Sequence, residues 1–342
     1  MKAPGQLPHY STHAREFFQM AAELLPSRTG IPSDFEAFLA DYLHESVKFI
    51  LPDNGFLFAA DEHDYKPSMF DLLQLPYPAC ALEFTAGDEL FAQDSGLEQS
   101  RKRIALCFDP WQLPERQKER LSALRGQPWF TDIPKRALAA MAVFEMEDMW
   151  AAAVGMVVID LEGDKPMLIA DVADGELTEL SNAVGQRIRR RHGKHGLPAT
   201  FMTFPIRSVL LGQSSSEAME CLYIDTIDEI RVVYEFLAAV NCANVGTQTI
   251  HPPQMLNAKR AKKGKTPFYP YKVLDLSPAG GEAGQGGRAG AGGHASPRTH
   301  LRRGHLRRLH ERHGGKTIWI NATAVNSRKG EALAEQVYVV RT

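Results

Sequence analysis

The chain has 342 residues, of which 44% are hydrophobic and 23% charged, with a formal net charge of −2. That length and composition describe a soluble globular protein of one to three structural units. They exclude a membrane-embedded chain, because the longest apolar run, Met149 to Leu161, is too short to span a bilayer. The charge is unevenly spread: from Ile250 onward there are 17 Lys/Arg against 5 Asp/Glu, whereas residues 1–249 carry 22 against 36.

An acidic body of residues 1–249 followed by a basic module of residues 250–342 points to a polyanionic partner, or to a tail that folds back on its own body. The N-terminal MKAPGQLPHY lacks the apolar core of a signal peptide, so a cytoplasmic protein is expected. The cysteines, Cys80, Cys107, Cys221 and Cys242, form no CxxC pair and sit in apolar surroundings. They read as buried free thiols.

In chain order, residues 11–51 read as helical. Ser33 and Glu36 supply a capping box before FEAFLADYLHESVKFIL. A turn-rich stretch follows over residues 52–78, and then ACALEFT and RIALCFD read as strands. ALAAMAVFEM and WAAAVGMVVIDL are almost continuously apolar, so two buried strands or a strand and a helix both fit. Glu145, Glu147 and Asp148 between them form either an acidic turn or a carboxylate cluster for a metal.

PMLIADVA reads as a strand and ELTELSNAVGQRIRRRHGKHG as a helix with a basic end. TFMTFPIRSVLL reads as extended. IDEIRVVYEFLAAVNCANVG is a helix with an apolar stripe of Ile227, Ile230, Val233 or Tyr234, and Leu237. The Gly/Ala-rich run at 277–297 reads as a flexible loop. KTIWINATAVN and QVYVVRT alternate like the strands of a hairpin. The fold class expected is α+β, a mixed helical and sheet body with a basic C-terminal module containing a small antiparallel sheet.

The residues that invite chemistry lie between Arg298 and His313, where six arginines and four histidines fall within sixteen positions. A metal site is not expected: the histidines are spaced so that at most His310 and His313 share a helical face, and no cysteine accompanies them. His300 and His305 flanking Arg302 and Arg303 would suit a metal-independent ribonuclease, with the histidines as acid and base and arginine on the phosphate. Nucleic-acid contact fits the same residues, because arginine matches phosphate with a planar fork and stacks on bases.

The contact set expected is Arg298, His300, Arg302, Arg303, His305, Arg307, Arg308 and Trp319, joined by Lys259, Arg260, Lys262 and Lys263. Phe268 and Tyr269 offer further aromatic faces, and residues 187–195 a further basic cluster. Gly304 suggests a tight turn. A third reading makes the basic module a docking surface for an acidic protein, with its arginines paired to carboxylates.

The pattern TH-L-RRGH followed by IWINATAVN resembles the C-terminal end of a phage- and plasmid-borne family named for a type V-A anti-CRISPR inhibitor. The resemblance is carried by Arg298, His300, Arg302, Arg303, Gly304, His305, Trp319 and Val325, and covers roughly the last hundred residues. LPYPAC at 75–80 and the helix YEFLAAVNCANV at 234–245 echo it. The chain departs from the family in its long Gly/Ala loop and in HERHGGKT. The resemblance implies a non-enzymatic regulator without cofactor or metal. Such a protein recognises the nascent N-terminal peptide of a target nuclease during translation, on RNA or the ribosome, with loss of the message.

Overall fold

The computed structural model describes residues 7–29, 34–57, 73–86, 100–126, 128, 133–161, 199–205, 208, 211–275, 300–302, 305–309, 315–320 and 323–325. The fold is α+β, as expected. A nine-stranded mixed sheet has helices on both faces. Helices α1 (Tyr10–Thr29) and α2 (Asp34–Glu45) lead into β1 (Val47–Ile50). Then come β2 (Ala79–Thr85), β3 (Lys102–Phe108), α3 (Glu115–Arg125), β4 (Ala137–Met146), β5 (Met149–Ala152) and β6 (Gly155–Asp160). β7 (Ala199–Thr203), α4 (Ser215–Val240), β8 (Gly246–Ile250), α5 (Gln254–Lys262) and β9 (Tyr271–Asp275) follow.

The sheet order is β7-β6-β4-β3-β2-β1-β9-β8, with β5 also on β4. β1 is parallel to both β2 and β9; the other pairs are antiparallel. Alternate residues serve two cores. Leu82, Phe84, Ala105 and Cys107 pack with Val233, Phe236 and Leu237 of α4. Ala81, Ile104, Leu106 and Phe108 pack with Phe18 of α1, Phe38 and Leu43 of α2, and Leu121 of α3. Burial on both faces explains why β4 and β6 read as continuous apolar runs without alternation. Arg103, of the same parity as Cys107, meets Glu229 of α4 through Nε and Nη2 in an interior ion pair.

Three expectations are corrected. The helix read through residue 51 stops at Glu45, because Val47–Ile50 is captured as a strand between β2 and β9. Lys48 closes the helix end: its Nζ donates to the His44 and Ser46 carbonyls that a longer helix would have used. The extended reading of residues 200–211 holds through Phe204, but Ser208 N–H then donates to the Phe204 carbonyl at 3.0 Å, a helical turn. The division at residue 250 falls inside a hairpin of the body's own sheet, since β8 pairs with β9 from Gly246↔Asp275 to Ile250↔Tyr271.

The helix read from Ile227 begins earlier, at Ser215, behind a capping box of Ser214 and Glu217. Glu147 and Asp148 are the acidic turn of the β4–β5 hairpin, both with positive φ, and Glu145 pairs with Lys102. Cys80, Cys107, Cys221 and Cys242 are free thiols, the first two opposite one another across β2 and β3. No helix among the described residues is long and apolar enough to cross a membrane. Ser33, the strand read at PMLIADVA, the helix read at 176–196, the basic cluster 187–195, the loop 277–297 and QVYVVRT lie outside the described residues.

Candidate nucleic-acid interface

Two elements hold the expected contact residues. The first is α5. Its sequence, QMLNAKRAK, continues as KGKTPFYP and contains no carboxylate through Pro270. Gly264 adopts φ +68 and lets the chain leave the helix: its N–H donates to the Ala261 carbonyl and Lys265 N–H to that of Arg260, both at 3.0 Å. Asn257 clips the returning strand with two bonds to the Phe268 backbone, at 3.0 and 2.8 Å.

Arg260 departs from its expected role. Its Nη2 donates to Glu16 Oε1 of α1 at 2.6 Å and its Nε to the Thr266 carbonyl at 2.7 Å, while its guanidinium lies 4.0 Å from the Phe268 ring centroid. It fastens α5 to the body. Phe268 is likewise occupied, stacked on His9 at 3.7 Å. Tyr269 carries Lys48 Nζ over its ring at 3.8 Å and meets His44 Nδ1 through its hydroxyl at 3.0 Å. Neither ring is a spare stacking face. Sequence alone could not separate these roles, because an arginine beside an aromatic has one signature for RNA stacking and for internal packing.

Lys259, Lys262 and Lys263 remain exposed, as does Lys265, and none pairs with a carboxylate among the described residues. Lys259 faces Lys262 at i+3 and Lys263 at i+4, spacings at which like charges repel by about 0.2–0.5 kcal/mol per pair. The helix dipole offsets part of this at its C-terminal end. Met255, one turn before Lys259, is 74% exposed and adds an apolar spot to the same stripe.

The second element is the arginine–histidine stretch, which forms strands itself. β10 (His300–Arg302) pairs with β13 (Thr323–Val325), and β11 (His305–Arg308) with β12 (Thr317–Ile320). From Arg302↔Thr323 to His305↔Ile320 both strands advance three residues, so the two ladders share one register. Gly304, where a tight turn is expected, lies outside the described residues. The reversal lies beyond Arg308 and is closed by Leu309 N–H on the Lys316 carbonyl at 2.8 Å. KTIWINATAV thus pairs with the basic stretch, and QVYVVRT, the other strand of the expected hairpin, lies outside the described residues.

The backbone sets His300 opposite Val325, Arg302 opposite Thr323, His305 opposite Ile320, Arg307 opposite Ile318, Arg308 opposite Thr317, and Trp319 opposite Leu306. Arg298 and Arg303 lie outside the described residues. A bond from Ala243 N–H to the Thr317 carbonyl, 2.9 Å, joins this ribbon to the end of α4.

No sequence motif signals the polar cluster centred on Glu83. Glu83, fully buried on β2, accepts from the backbone of Tyr10 and Ser11, each at 2.9 Å, and from Tyr271 Oη at 2.9 Å. It takes the place of an N-cap for α1, and burial pushes its carboxyl above the ordinary range despite these donors. Burial, then the neighbouring His13 and Arg260, lower His9 to about 4. Burial also lowers Lys48 to about 7. Among the described residues no group of three or more His, Cys, Asp or Glu converges to hold a metal. No family model, curated protein or solved structure matches the chain, so the likeness to the type V-A anti-CRISPR family rests on the sequence pattern alone.

Proposed function

We propose that this chain is a non-enzymatic regulatory protein that holds RNA, free or on the ribosome, against α5 and the β10–β13 ribbon. The observation that carries the reading is the set of exposed lysines, with no carboxylate partner among the described residues, on a helix anchored to the body by Arg260. Repelling charges with no internal partner cost stability unless a polyanion meets them. The anti-CRISPR resemblance adds a purpose: suppressing production of a target nuclease by recognising its nascent peptide and translating message.

The test is fluorescence anisotropy of a single-stranded RNA across a salt series. Lys259→Glu, Lys262→Glu and Lys263→Glu together remove three phosphate contacts. The slope of log affinity against log salt should flatten by about 2, at about 0.7 per contact. An unchanged slope in the folded triple variant would remove α5 from the interface. Tight binding of an acidic protein, with no RNA affinity, would instead favour a docking surface for an acidic partner.

A further inference from the structure

At the end of the sheet where β3 finishes and β4 starts there is a cavity of about 440 Å³, within the usual size range of small-molecule sites. Its inner lining includes the buried Leu73, Leu138 and Leu161. Trp111 lines it and is 41% exposed. Its indole Nε1 donates to the Pro134 carbonyl at 2.7 Å, so the ring is held while its surface stays open. The next two residues after Pro134, Lys135 and Arg136, line the same cavity. Both are exposed, and neither forms an ion pair among the described residues.

Asp109 is the one carboxylate among the described residues of the lining. Its two oxygens are taken by Trp111 N–H at 2.9 Å and Gln112 Nε2 at 2.7 Å. The facing segment is also fixed: the Gln74 carbonyl accepts from Asn241 Nδ2 at 2.9 Å, and the Pro78 carbonyl from Asp109 N–H at 3.0 Å. The site is formed before any ligand arrives.

We propose that this cavity binds a nucleoside phosphate, the base stacked on Trp111 and the phosphate held by Lys135 and Arg136. A neutral sugar would leave two cations unmatched, and an aliphatic anion would leave the indole face unused. A planar heterocycle carrying phosphate satisfies both. The chemistry is the same for a free mononucleotide and for the 5′ end of an RNA. The site is independent of the α5 reading, and neither rests on the other.

Isothermal titration of the full chain with AMP, UMP and the parent nucleosides tests it. The monophosphates should bind, and the nucleosides should bind about tenfold more weakly or less. Lys135→Ala with Arg136→Ala should bring AMP to the level of adenosine. Trp111→Ala should weaken both by about tenfold, in the range of one lost base stack. The α5 triple variant should leave AMP binding unchanged. A 5′-phosphorylated hexanucleotide that displaces AMP, while its 5′-hydroxyl form does not, assigns the site to RNA termini. Failure of both to displace AMP assigns it to free nucleotide. Absence of binding by AMP and UMP at millimolar concentration, or wild-type affinity in both cavity variants, overturns the proposal.

Discussion

His9 has a backbone φ of 54, is 6% exposed, and leaves its Nδ1 without a hydrogen-bond partner. A protonated imidazole there would be a buried charge beside Arg260, which is why its proton affinity falls to about 4. The unfolded chain takes up that proton near 6.5, and the folded chain does not until about 4. Stability from this residue is therefore complete above pH 6.5, declines as pH falls through the window, and is lost below 4. The difference amounts to about 3 kcal/mol. Asn tolerates the left-handed backbone and does not titrate. His9→Asn should thus start less stable, having lost the stack on Phe268, and should lose about 3 kcal/mol less than the wild type between pH 6.5 and 4 in urea titrations. Parallel pH curves would mean that His9 is protonated inside the fold. None of this was legible in LPHYS: the proline and the polar run suggest a helix start, but only the tertiary neighbours Phe268, Tyr271 and Arg260 make the histidine a buried one.

Strand β4 meets β5 from Met146↔Met149 to Val143↔Ala152 and β6 from Ala140↔Val157 onward. Between these points Met141 and Ala142 of β4 face four residues, Ala153 to Met156, so the partner carries a two-residue bulge, entered after Ala153 N–H donates to the Ala142 carbonyl at 3.0 Å. The bulge brings Gly155 against β7, where an added Cβ would lie 2.2 Å from the Met202 carbonyl oxygen and 2.8 Å from Thr203 Cα. Backbone cannot yield as a side chain can, so Gly155→Ala should cost about 3 kcal/mol, the upper end of what overpacking costs. Gly126, at the left-handed end of α3, has nothing within 4 Å of its Cβ position, so Gly126→Ala should cost only the strain of about 1 kcal/mol. Equal losses in thermal unfolding would show that close approach is not what fixes Gly155. The apolar runs were readable, but not whether the second was strand or helix, because burial on both faces removes the alternation that would decide. The bulge was not readable, since AAAVG carries no turn signal. Nor was β1: Phe38, Tyr42 and Phe49 keep a helix-like spacing through residue 49, and only pairing with β2 and β9 ends it.

Among the described residues, the three apolar clusters are drawn from positions up to Leu274, the penultimate residue of β9. The basic chain beyond residue 249 is thereby split between two duties. Residues 250–275 complete a sheet and seat α5 on α1 through Glu16, while the ribbon touches the body through the Ala243–Thr317 bond. The compositional boundary at residue 250 records charge, not folding, which is why sequence placed it inside a hairpin. A chain ending at Asp275 should keep its urea midpoint to within about 1 kcal/mol of the intact protein, as surface deletions outside a core do. It should also keep the part of RNA affinity that the α5 lysines supply. Its salt slope should be shallower than that of the intact chain and steeper than that of the α5 triple variant shortened in the same way. Loss of cooperative unfolding in the shortened chain would mean that the ribbon stabilises α4 and belongs to the body. An RNA salt slope unchanged by the truncation would confine binding to α5, and the arginines from Arg298 to Arg308 would then have no part in it.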